Sequence, residues 1–282
     1  MIAPDRMRHI GVLIPVVFDD FFSGILGGIS DAVYEHGMWL VLRPTRHDHA
    51  REVALLNQLR QNTDGAVLVL PEESSEELVP ALSDRYPFVV CDPLEPLDAR
   101  IPSVVAANAS GAEQAVDHLV ALGHRRIGAI TGPPGWAATE ERRRGYRAAL
   151  RAAGIQFEPE LEVEADFDFE PGAHAAAALL ALAEPPTAIF AFSDLIAIGA
   201  IRTARASGVS IPDDLSIVGF DDSSFATVVE PQLTTVRQPL AELGRRSVDL
   251  LVRLIRGEDV DTLRLESATR LVVRETTAPP RP

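Results

Sequence analysis

Residues 216–242 read SIVGFDDSSFATVVEPQLTTVRQPLAE. The stretch opens on a buried-type strand, Ile217 and Val218, that runs straight into two adjacent carboxylates, Asp221 and Asp222. An open α/β sheet presents its ligand site at the carboxyl ends of its strands, so acidic side chains at such a strand end mark a candidate site. No helix that Asp221 would cap is evident nearby, and a carboxylate at a strand end needs a partner.

Outward from this strand the same grammar repeats. Short apolar runs at 10–15, 39–43, 66–70, 88–91, 104–107, 127–131, 161–163 and 188–192 alternate with helical periodicity at 21–36, 50–61, 112–122, 140–153, 172–183, 194–207 and 240–255. Repeated βα units of this kind build a parallel sheet. Gly37, Gly123, Gly154, Gly208 and Gly257 each close a periodic stretch, as left-handed helix ends require. The strands exceed a comfortable single sheet, and a turn-rich segment at 99–110 separates two groups of them, which predicts two doubly wound lobes. The Pro-rich tail, 278–282, is expected to fray.

Composition narrows the class. The chain has 282 residues, 46% hydrophobic and 24% charged, enough for a sizeable core. No apolar run approaches the roughly 18 to 20 residues needed to span a bilayer. The early apolar run at 10–17 ends in Phe18-Asp19-Asp20 without a small-residue cleavage pattern, so it reads as a first strand and the chain as cytoplasmic. A single cysteine, Cys91, excludes an internal disulfide and a cysteine-cluster metal site, and its apolar setting reads as a small buried hydrophobe. Net charge is −15 and no lysine occurs, so the chain alone should bind nucleic acid poorly.

Catalytic and cofactor motifs are missing from the pattern. His47-x-His49 reads as a solvated loop pair, and no HExxH, G-x-S-x-G, P-loop or G-x-G-x-x-G spacing occurs. Gly24, Gly27 and Gly28 lie in an amphipathic pattern, where small residues permit close helix packing. We therefore expect no enzyme, no cofactor and no metal.

The wording GFDD, an aromatic, then P-x-LTTVRQP closely resembles the effector-binding core of the LacI/GalR family of bacterial transcriptional regulators. The strings IGVLIP, HLVALGHRRIGAITGP and LVVRETTAPP extend the resemblance over essentially the whole chain. It implies an α/β fold of the type I periplasmic-binding-protein kind: two doubly wound parallel-sheet lobes with three crossovers. On that pattern one lobe takes 8–107 plus 239–266 and the other 108–238 plus 267–277, with tails at 1–7 and 278–282. It further implies a homodimer that binds a small effector, a sugar or related polar metabolite, in the cleft between lobes. Operator DNA would be read by a basic helix-turn-helix module that the chain as given does not show before its first strand.

Sugars offer apolar C–H faces for stacking and vicinal hydroxyls for bidentate grip by carboxylate or guanidinium. The resemblance places Asp20 and Phe21 in the family's segment after the first strand, with Phe21 the stacking candidate; packing in the helix core competes for Phe22. Arg142 matches the effector-gripping arginine and sits one position off the row Arg143, Arg147, Arg151, which reads as a solvated helix face. Trp136 is a lid residue or a ligand contact. Phe167 matches an aromatic at the mouth of the second lobe, or staples the following helix. Ser193 and Asp194 cap a helix, touch ligand, or both. Asp221 is the leading binding residue, Gln238 at a crossing bonds ligand or hinge backbone, and Asn108 reads as structural. A solute-binding protein for a sugar transporter shares the fold but predicts an export signal, and an enzyme on this scaffold lacks an acid–base pair.

Overall fold

The computed structural model describes residues 8–82 and 86–281; the tail at 1–7 and Pro282 lie outside them. In chain order the first segment carries β1 (His9–Ile14), α1 (Asp20–Glu35), β2 (Trp39–Pro44), α2 (His49–Asn62), β3 (Gly65–Val69), α3 (Ser75–Ala81), β4 (Phe88–Cys91) and β5 (Ser103–Ala106). The second carries α4 (Asn108–Ala121), β6 (Ile127–Thr131), α5 (Ala137–Ala152), β7 (Glu162–Glu164), α6 (Phe169–Leu180), β8 (Ala188–Ala191), α7 (Asp194–Ala206), β9 (Ser216–Asp221), α8 (Phe225–Val228) and β10 (Thr234–Arg237). The chain ends with α9 (Leu240–Arg256), β11 (Arg264–Ser267) and β12 (Arg270–Val272).

Two compact units result: Met1–Ala106 with Pro239–Ser267, and Ala107–Gln238 with Ala268–Pro282. Unit 1 holds a six-stranded sheet in the order β11-β5-β4-β3-β1-β2, and unit 2 a six-stranded sheet in the order β12-β10-β9-β8-β6-β7. All pairings are parallel except that of β12 with β10. The expected α/β class, two doubly wound sheets with three chain crossings, is what forms.

The periodicity explains the layering. Strands such as β3 (GAVLV) and β8 (AIFA) are buried along their whole length because helices cover both sheet faces, so they read as continuous apolar runs. In unit 2 one face of the sheet packs Val116, Leu119, Tyr146, Phe190 and Phe220, and the other Leu179, Ile189, Ile196, Ile201 and Ile217. In unit 1, α1 and α9 cross closely: a Cβ on Gly28 would meet the Ala241 carbonyl oxygen at 1.8 Å and one on Gly24 the Leu240 side chain at 3.0 Å, the close helix packing expected there, whereas Gly27 has no neighbour within 4 Å among the described residues. The five glycines expected at helix ends all have positive φ, from 66° to 102°.

Two expectations need correction. The tail does not fray through Arg281: Ala278 donates to Ser216 Oγ at 3.0 Å, its carbonyl accepts from His124 Nε2 at 2.9 Å, and Arg281 pairs with Asp213 and Asp214. The segment Thr276–Ala278 lies along the start of β9, where the Ile217 N–H donates to the Thr276 carbonyl at 2.8 Å. Nor is the arginine row on α5 wholly solvated. Arg143 is only 12% exposed and bonds Glu162 of β7 at 2.9 Å, and Arg147 bonds the same carboxylate.

Candidate functional site

The site is built at the carboxyl edge of unit 2's sheet. There β9 ends in Asp221 with φ 121° and Asp222 with φ 59°, conformations that cost a non-glycine residue energy and persist only where neighbours hold them. Asp222, whose side chain is 5% exposed, accepts from Arg274 Nη2 at 2.5 Å and also pairs with Arg237. Beneath the turn, Asp194 accepts from the Ser223 backbone N–H at 2.7 Å and from Thr235 Oγ1 at 2.5 Å. Gln238 Nε2 donates to Asp221 Oδ1 at 2.8 Å.

Arg142 comes to the same edge from α5. Its Nε donates to Asn108 Oδ1 at 2.8 Å, and Nη1 donates to the Phe192 carbonyl. The guanidinium lies 3.8 Å over the Phe220 ring and its Nη2 stands 3.8 Å from Asp221 Oδ1. A buried cation held by two fixed acceptors and an aromatic face is oriented before any solute arrives. Arg142 has a side chain 5% exposed and Asp221 one 17% exposed, so the carboxylate is the more accessible of the two.

Aromatic rings flank this polar pair. The Trp136 and Phe167 ring centroids lie 5.6 Å apart, and Arg142 is 5.8 Å from the Phe167 ring. Phe167 does not staple α6, because the N4 position of that helix is Gly172, which offers no side chain. Its ring fills the space above Gly132, where a Cβ would come within 2.1 Å of Cζ. Trp136 is the N-cap position of α5 and makes no side-chain cap bond.

Burial sets the electrostatics. Asp194 is wholly buried, and loss of hydration first, then the charge of Asp221, push its carboxyl up to about 8, so at neutral pH it carries a proton much of the time. Ser193 accepts from the Ile196 N–H at 3.2 Å and is a cap of α7. Gln238 is 4% exposed, and its Oε1 meets no donor among the described residues.

Unit 2 thus brings together Trp136, Arg142, Phe167, Asp221 and Gln238, with Asp194 beneath them and Ser193 at the head of α7. Asp20 and Phe21 stand in unit 1, at the start of α1. Asp19 caps that helix, accepting from the N–H groups of Phe21 and Phe22 at 2.9 and 3.3 Å. Phe22 is buried, Phe21 half-buried, and the two rings meet edge to face at 5.3 Å. Sequence reasoning missed the parts of Phe220 and of Asn108's side chain in holding Arg142. The spacing from Arg142 to either gives no local signal; only the sheet register does. Among the described residues, no group of three or more His, Cys, Asp or Glu is arranged to hold a metal ion.

Two doubly wound units between which the chain passes three times, one of them with a polar strand edge, define a protein of the periplasmic-binding-protein type. Consistent with this, residues 116–277 match the periplasmic binding protein-like domain family. The chain is 35% identical over 277 residues to the HTH-type transcriptional repressor CytR of Escherichia coli K12, covering 97% of this chain and 80% of that one. A solved transcriptional regulator CelR–cellobiose complex superimposes with TM-score 0.86 at 35% identity, covering 97% of this chain and 86% of that one. A LacI family regulator from Enterococcus faecium with bound ribose gives TM-score 0.85 at 28% identity, over 97% and 100%. The chain belongs to the LacI/GalR family of bacterial transcriptional regulators. These relatives are regulators and not enzymes, and among the described residues no helix is long and apolar enough to cross a membrane.

Proposed function

We propose that this chain is the effector-sensing and dimerisation core of a cytoplasmic transcriptional repressor, and that its effector is a small sugar or related polar metabolite. The observation that carries the reading is the preset pair Arg142 and Asp221, bordered by Trp136 and Phe167. A carboxylate and a guanidinium held 3.8 Å apart can grip vicinal hydroxyls, one accepting and one donating, while the rings take the apolar sugar face. Relatives solved with cellobiose and with ribose support this ligand class.

In this reading Asp221, Arg142, Gln238, Trp136 and Phe167 touch effector. Ser193 and Asp194 act through the backbone they hold, and Asp20 and Phe21 are the contribution of unit 1. The function is binding without catalysis. Operator DNA is contacted by a helix-turn-helix module of the family type, since a chain of net charge −15 repels phosphate. The test is calorimetry of the chain against a panel of mono- and disaccharides that includes cellobiose and ribose. Saturable one-to-one binding that is lost in Asp221→Ala supports the assignment, and binding that is indifferent to both Asp221 and Arg142 contradicts it.

A further inference from the structure

A second pair of carboxyl groups, in unit 1, has no part in the site above. Glu52 on the first turn of α2 and Glu73 in the loop after β3 are 1% and 6% exposed. Glu52 Oε1 accepts from the N–H of Glu72, the residue next to Glu73, so the two buried carboxyls stand close enough to interact. No donor among the described residues reaches Glu52 Oε2 or either oxygen of Glu73. Two carboxylate oxygens cannot bond one another unless one carries a proton. Thr45 Oγ1, 1% exposed at the end of β2, likewise has no partner.

The pair is joined to the rest of the unit's strand edge. Glu52 Oε1 accepts from the Glu72 N–H at 3.1 Å, and Glu72 Oε1 bonds His47 Nδ1 at 3.1 Å. The His47 ring lies 6.3 Å from that of Phe22, which in turn meets Phe21. We propose that Glu52 and Glu73 share one proton, that this proton holds the β3–α3 loop on α2, and that the edge from Thr45 to Phe21 loosens as pH rises. The consequence for effector capture rests on the function proposed above; the shared proton does not.

The charged groups on the surrounding elements do not offset the pair. α2 and its cap bring Asp48, His49, Arg51 and, in the last turn, Arg60, the loop before it Arg46 and His47, the β3–α3 loop Glu72, and α3 Glu76 and Glu77; beyond β4 stands Asp92. The nearest imidazoles are engaged elsewhere, His47 with Glu72 and His49 with Glu77, and Arg51 Nε donates to the Pro44 carbonyl. β1 and β3, which pack on α2, add only His9. Burial first, then the hydrogen bond and charge of Glu73, push Glu52 up to about 10. A group raised in the folded state lends stability that is whole below its unfolded value and lost as pH climbs through the folded one, here from about 4.5 towards 10.

The experiment is thermal melting of the parent, Glu52→Gln and Glu73→Gln from about pH 6 to 9, with amide exchange at Glu72 in the parent. Glutamine mimics the protonated acid, since its amide donates to the partner carboxylate without titrating. Relative to either variant, the parent's melting temperature should fall by about 3 °C per pH unit. Exchange at the Glu72 amide, corrected for its intrinsic pH dependence, should quicken by up to about tenfold per unit. Parallel melting profiles for parent and variants, or corrected exchange that does not change with pH, would overturn the proposal. Should neither variant fold, exchange in the parent decides alone. None of these measurements needs an effector, so their failure leaves the proposed function untouched.

Discussion

Replacing Asp221 by alanine separates a ligand grip from a set of helix caps. In the folded protein the Asp221 carboxylate accepts from Gln238 Nε2 at 2.8 Å and faces Arg142 Nη2 at 3.8 Å. Removing it costs the fold about 1.5 to 3 kcal/mol, the range of a hydrogen bond to a charged group. Arg142 stays satisfied by Asn108, the Phe192 carbonyl and the Phe220 face, and loss of Asp221's charge relieves the buried carboxyl of Asp194. Binding should suffer more. An effector hydroxyl that loses a charged acceptor in a site built around it costs about 2 to 5 kcal/mol, roughly 30- to 4,000-fold in Kd. Paired calorimetry and melting on the parent and on Asp221→Ala read both quantities. Affinity equal to the parent's would refute the assignment of Asp221, whatever the melting curve shows.

Other perturbations follow from neighbouring contacts. Ser193→Ala removes only the bond to Ile196 N, so melting should drop with a loss of about 1 kcal/mol while effector affinity holds, read by the same two methods. Gly132→Ala forces a Cβ to within 2.1 Å of the Phe167 ring; it should destabilise by about 1 to 3 kcal/mol and weaken effector binding, and unchanged affinity would detach Phe167 from the site. Asp194 is raised from 3.8 to about 8 in the fold, so its contribution to stability is whole at the acid end and declines as pH rises through that window. Asp194→Asn keeps an oxygen for Ser223 N–H and a group for Thr235 Oγ1, and should flatten that part of the pH profile; a parent and variant that melt in parallel would contradict it. In gel retardation the chain alone should not shift an operator fragment at physiological salt, and sedimentation should show a dimer.

How much of this was legible depended on where the information lies. Apolar runs with short spacing reveal buried parallel strands, which is why β1, β3, β4, β6, β8 and β9 stand out from sequence alone. The strands β10 (TTVR) and β11 (RLES) do not, because each has four residues with only one of them apolar; they are defined by the partner strands β9 and β5. The strand read at 161–163 forms one residue later, at Glu162–Glu164, on an exposed sheet edge where polar residues alternate freely. Asp221 was readable because a carboxylate at a strand end has few structural uses. The locking of its turn by Asp194, Asp222, Arg237 and Arg274 was not, since those partners lie up to 52 residues away in sequence and meet only through the sheet. The pair Glu52 and Glu73 was equally silent: acidic residues in a helix turn and a loop read as solvated until burial is known.

Trp136 offers the most direct test of the central claim, that the edge of unit 2 holds the effector. The chain has two tryptophans, and Trp39 is 58% exposed, so Trp39→Phe leaves Trp136 as the sole indole reporter with little cost to the fold. Titrating this variant with the sugar that raises its melting temperature most should give a saturable change in Trp136 emission. The Kd should match calorimetry, and the change should disappear in the added Asp221→Ala variant. A sugar that binds with full affinity yet leaves Trp136 emission unchanged, with or without Asp221, would place the effector elsewhere and contradict the account.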